Sequence, residues 1–171
     1  MSAKYLLGGT IAAGLTIFLW GGIAHMALPL PEPVQRLKSD QPVMDAVKAQ
    51  TNGNGVYYDP RGIFLTLRLR PDGSDMTQNM GEYLVKECIT NLIQAFLLAV
   101  VLLQVKPRNV LAYGRYGLLL GMMSWFGVDA SLWNWYGFST ELTLHSLLDM
   151  PLGCGLAGLV LGWLIRKWDL A

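Results

Sequence analysis

The sequence predicts an all-α membrane protein: four transmembrane helices in an antiparallel bundle, with a small α+β cap between the first two. Three observations predict it. Apolar stretches at residues 5–28, 85–105, 109–128 and 143–165 each approach the ~20 residues that a helix needs to cross a bilayer. Lipid offers backbone amides no hydrogen-bond partner, so each stretch has to satisfy its own backbone as a helix. Composition agrees: 53% of residues are hydrophobic and 15% charged, with a net charge of +1, which excludes nucleic acid or an acidic macromolecule as the expected partner. The chain reads as a single membrane domain whose expected partners are the lipid bilayer and other membrane subunits.

The first span, residues 5–28, follows Met1-Ser2-Ala3-Lys4. Its apolar run exceeds the ~7–15 residues of a signal-peptide core, so it reads as a retained helix. Residues 29–84 form the cap. After Pro29, Pro31 and Pro33, the residues Val34, Leu37, Val43, Met44 and Val47 recur at near-helical spacing, which predicts short amphipathic helix within residues 34–49. Asn52-Gly53-Asn54-Gly55 stops it. Residues 55–58 and 63–70 are rich in β-branched and aromatic side chains, Asp59-Pro60-Arg61-Gly62 lies between them, and Pro71-Asp72-Gly73 ends the second run; together they predict a β-hairpin. Ile63, Leu65, Leu67 and Leu69 share one face of it, and the opposite face ends in Arg68 and Arg70. A lone hairpin is marginal in water, so it is expected to lean on the helix ends or on another subunit.

The remaining spans carry packing signals. Gly117 and Gly121 in the third span, and Gly158 and Gly162 in the fourth with Cys154 one turn earlier, are spaced to let helix backbones approach closely. Pro151 removes one backbone hydrogen bond from the fourth span and predicts a kink near Met150. Arg115, inside the third span, has a stem long enough to return its charge to the interface. Trp133, Trp135, Tyr136 and Phe138 crowd the link between the third and fourth spans, where amphipathic aromatics anchor helix ends at head-group depth. Cys88 and Cys154 both fall within spans, where a thiol behaves as a small apolar residue.

Orientation follows from the short segments. Lys4, the Lys106–Arg108 link and Arg166-Lys167 carry the basic residues, whereas the link around Asp129 and Glu141 has neither Lys nor Arg. The positive-inside rule therefore puts both termini in the cytoplasm and the cap, with Gly73 and Asn134, outside.

Phe18-Leu19-Trp20-Gly21-Gly22-Ile23-Ala24-His25-Met26-Ala27-Leu28-Pro29, Gly55-Val56-Tyr57-Tyr58-Asp59-Pro60 and above all Trp133-Asn134-Trp135-Tyr136-Gly137-Phe138 resemble, in order and over nearly the whole chain, a group of small bacterial membrane proteins of unknown function. The resemblance implies a four-helix protein of the bacterial inner membrane. It implies no catalytic role.

One cluster carries chemistry. His25 near the end of the first span, Glu87 and Asn91 near the start of the second, and His145 and Asp149 near the start of the fourth fall at one depth. Glu141, His145 and Asp149 recur every four residues, as do Glu87 and Asn91, so each set stacks along one helix face. Ionisable groups within membrane helices are costly and turn toward the bundle interior or a cavity. The sequence has no Gly-x-Ser-x-Gly elbow, phosphate-binding glycine loop, His-Glu-x-x-His or Cys-x-x-Cys-His, and two histidines are too few for a multi-histidine iron site. Four helices without broken repeats also make a poor secondary transporter. Two function classes follow. One is a non-enzymatic subunit or assembly protein that stabilises a larger, energy-transducing membrane complex. The other is a cofactor- or metal-binding protein, with a haem, chlorin or metal ligated by His25 and His145, and with Glu87, Asn91 and Asp149 as ligands or in support of them.

Overall fold

The computed structural model describes residues 3–27, 37–69 and 80–169. Its elements run α1 (Ala3–Ala27), α2 (Asp40–Gln50), β1 (Gly55–Asp59), β2 (Ile63–Leu67), α3 (Met80–Val105), α4 (Val110–Gly127), α5 (Asp129–Tyr136) and α6 (Thr140–Asp169). The stretches around Pro29–Val34 and Arg70–Gly73 on which the sequence reading drew lie outside the described residues.

Three helices, α1, α3 and α6, are long and apolar enough to cross a membrane. The third of the four expected spans, residues 109–128, folds as α4, an 18-residue helix that carries Arg115 and is not among those three. Helix α6 is central. It packs along α4 on one side and α1 on the other, α3 packs on α1, and α3 touches α4 and α6 little. The core is built from Ala13 and Ile17 of α1, Ala95, Leu98, Ala99 and Leu102 of α3, Tyr113 of α4, and Ala157 and Leu161 of α6. Nearly half of these are alanines, because a small side chain lets helix axes draw together.

Local signals fix the helix ends. The Asn109 side chain accepts a hydrogen bond from the Ala112 N–H at 2.9 Å and starts α4, and the Ser139 hydroxyl accepts one from the Leu142 N–H at 3.1 Å and starts α6. Gly137 takes a left-handed conformation, φ 69°, and ends α5. Helix α6 continues through Pro151. It begins three residues before the expected span and ends four after it, because Thr140, Glu141, Lys167 and Asp169 extend the helix beyond its apolar stretch.

The cap contains the expected hairpin, with Tyr57 opposite Leu65 and Gly55 opposite Leu67. Gly62, at φ 99°, closes the turn by donating its N–H to the Asp59 carbonyl at 3.0 Å. The hairpin leans on the helices through Phe64, whose ring centroid is 4.5 Å from that of Tyr136, and through Arg68, 5.2 Å above the Tyr83 ring. Helix α2 starts at Asp40, later than expected, and buries none of its residues. The α5 helix, expected as a link, is a two-turn element between α4 and α6.

Candidate functional site

His25 occupies the last turn of α1, and its Nδ1 lies 2.9 Å from the Gly21 carbonyl oxygen. A carbonyl can only accept, so Nδ1 carries a proton in this contact. His145, one turn into α6, is buried, and its ring meets that of His25 with centroids 4.8 Å apart and planes at 70°. Asp149 follows one helical turn later, with Oδ2 3.8 Å from His25 Nδ1. That separation is too long for a hydrogen bond and short enough for attraction whenever the imidazole is protonated. The His25 side chain is 64% exposed and that of Asp149 25%, so the group opens to the surroundings on the α1 side.

Trp20 locks the same junction. Its indole Nε1 donates to the Asp149 carbonyl at 3.0 Å, and the ring lies over Gly153, where a Cβ would fall 3.1 Å from Trp20 Cδ1. On the other flank of α6, buried Trp125 donates to the Thr143 carbonyl at 3.0 Å and lies 3.1 Å from the Ser146 hydroxyl. Deeper in the body, Gln94 of α3 donates to Cys154 Sγ at 3.3 Å. These three fasteners were not read from the sequence. The pairing of Trp20 with Gly153 had one available signal, a bulky residue and a gap at similar depth on two spans.

Three of the five residues expected to cluster are in contact. His25, His145 and Asp149 come together between α1 and α6. Asn91 is buried in α3 and Glu87 is exposed on it, and among the described residues no hydrogen bond or ion pair joins either to the histidines or to Asp149. Lys86 pairs with Glu82 one turn away, not with Glu87. Among the described residues no group of three His, Cys, Asp or Glu side chains is arranged to hold a metal ion. Two imidazoles that share a haem iron each place a nitrogen ~2 Å from the metal with the macrocycle between them. Rings in direct edge-to-face contact leave no such slot, so shared haem ligation by His25 and His145 is not the geometry of this site.

The four expected packing glycines lie in the α4–α6 seam. A Cβ on Gly121 would sit 2.6 Å from the Pro151 Cα, and one on Gly162 2.8 Å from the Tyr113 side chain; on Gly117 and Gly158 it would collide with the backbone carbonyls of Cys154 and Tyr113. Gly114 belongs to the same seam, with Leu159 against it. Of the aromatic group, Trp133 donates to the Thr140 hydroxyl at 3.2 Å, Tyr136 stacks on Phe64, Phe138 is half-buried, and Trp135 is 77% exposed.

No protein-family model, curated protein or solved structure matches the chain.

Proposed function

We propose that the chain is a non-enzymatic integral membrane subunit that stabilises a larger complex, seated in a bacterial inner membrane with α4 as a fourth span and both termini cytoplasmic. One observation carries this reading: three polar side chains of the helical body, Trp20, Trp125 and Gln94, fasten helix to helix. The Trp20, Trp125 and Gln94 contacts all bridge two helices, and the glycines of α4 and α6 serve backbone approach. A body organised this way is a rigid platform. The cap it carries includes an amphipathic helix, α2, that buries none of its own residues and is suited to a partner. The basic ends support the orientation, since Lys4 lies 5.6 Å from the Trp168 ring and Tyr5 donates to Asp169 at 2.6 Å, which brings Lys4 together with the Arg166-Lys167 end of α6.

Copurification in a mild detergent, with mass spectrometry of what remains bound, tests the subunit reading. Stoichiometric membrane partners that are lost when Val43, Met44 and Val47 are replaced by Ser are the expected result. A monodisperse chain without partners contradicts it.

The second reading, a haem or chlorin held by one histidine, is favoured by His25, whose side chain is 64% exposed while its Nδ1 is bonded to the Gly21 carbonyl. An optical spectrum of the purified protein separates the two, because a bound haem or chlorin absorbs in the visible.

A further inference from the structure

We propose that the aromatic groove between the β1–β2 hairpin and α5 binds the ammonium head group of a zwitterionic membrane lipid, an inference that rests on the membrane-spanning reading above. The groove has a volume of about 410 Å³, within the range of small-ligand sites. Its lining includes Tyr58 and Phe64 from the hairpin and Trp135 and Tyr136 from α5, with Gly62 and Gly137 at the two turns. Both glycines are held at positive φ, so the backbone closes the turns where an ordinary side chain would be strained.

The Phe64 and Tyr136 rings, 4.5 Å apart and inclined at 39°, tie the hairpin to the helix. Tyr58 and Trp135 are left 73% and 77% exposed. Two exposed rings lining one groove form an apolar surface that calls for an occupant.

The chemistry of the lining selects the charge. The faces of aromatic rings carry negative electrostatic potential and attract cations, an ammonium group among them. Among the described residues, no charged side chain lines the groove. The cation next to it in sequence, Arg61, is tied to the Asp59 carboxylate by bonds of 2.8 and 3.0 Å, so an anionic head group meets no free guanidinium there.

The location selects the source. Helix α5 joins α4 and α6 just where their exposed apolar faces end, with Phe126 and Val128 on one side and Leu144 on the other. On the membrane-spanning reading, this end of α4 and α6 falls at head-group depth and the groove beside α5 falls with it.

The test is native mass spectrometry of the full chain released from nanodiscs containing equal amounts of phosphatidylethanolamine and phosphatidylglycerol. The expected result is retention of the ethanolamine lipid about fivefold over the glycerol lipid, reduced to parity by Trp135→Ala and by Tyr58→Ala, and restored by Trp135→Phe, which keeps a π face. Trp163→Ala leaves the ratio unchanged, since Trp163 lies on α6 with Lys167 5.1 Å from its ring. Competition by soluble phosphoethanolamine supports recognition through the head group alone. Equal retention of the two lipids, or a preference that survives both alanine substitutions, overturns the proposal. Resistance to alkaline extraction is measured in the same samples, so failure of membrane insertion is read separately from failure of lipid recognition.

Discussion

The imidazoles of His25 and His145 meet edge to face across the α1–α6 seam, with centroids 4.8 Å apart, one ring buried and the other open. Such contacts between aromatic rings are worth about 0.5–1.5 kcal/mol beyond the area they bury. In a cycle of His25→Ala, His145→Ala and the double variant, followed by thermal unfolding in detergent, the two substitutions are expected to be non-additive by that amount. His145→Ala is the more damaging of the two because it opens a cavity. Additive losses would show that the rings touch without holding the helices.

Gly121 lies against Pro151 and Gly158 against Tyr113, with no room for a side chain at either. Gly121→Leu and Gly158→Leu therefore force α4 from α6 and cost about 1–3 kcal/mol or more, whereas Leu119→Ala, on the exposed face of α4, is nearly neutral. Unfolding midpoints in detergent check this. Equal tolerance of all three substitutions would contradict the seam.

The two indole fasteners differ in burial. Trp20→Phe removes one hydrogen bond to the Asp149 carbonyl and is expected to cost about 0.5–1.5 kcal/mol. Trp125→Phe is expected to cost more, because Trp125 is buried and both the Thr143 carbonyl and the Ser146 hydroxyl lie within reach of its N–H. The reverse order of stabilities would mean that ring packing, not the N–H, secures α6.

Depth was legible in the sequence, and rotation about the helix axis was not. Residue position relative to the apolar stretches put His25, His145 and Asp149 at one level, and they meet there. Glu87 was placed beside them and is exposed instead, because in a membrane helix the outer face is as apolar as the inner one. Ile89, Ile93, Leu97 and Val101 form an exposed ladder on α3 that no periodicity distinguishes from its buried side. The cap gave sharper signals: the alternation around Asp59-Pro60-Arg61-Gly62 located the hairpin to within a few residues. Helix α5 went unread because two turns carrying three aromatic residues have neither the length nor the apolar stripe of a helix signal.

In the hairpin turn, the Arg61 side chain, then its backbone N–H, hold the Asp59 carboxyl below its ordinary pKa. The lowered value belongs to the folded turn, so its stabilising effect is complete above the unfolded carboxylate pKa of ~3.9 and is lost as pH falls through the folded value. Amide signals of Tyr57 and Leu65 are expected to hold at pH ~5 and to weaken below ~4, with a smaller response in Arg61→Gln. An identical acid response in that variant would show that the ion pair does not support the turn.

The central claim is the proposal that α4 crosses the membrane although, at 18 residues with Arg115 within it, it is shorter than the other three long helices. It predicts that the residues flanking α4 lie on opposite sides. In a chain with Cys88 and Cys154 replaced, single cysteines at Lys106, Thr66 and Asn134 are labelled with a membrane-impermeant maleimide in intact cells. The account predicts labelling from outside at Thr66 and Asn134, and at Lys106 only after permeabilisation. Labelling of Lys106 and Asn134 from the same side would contradict it.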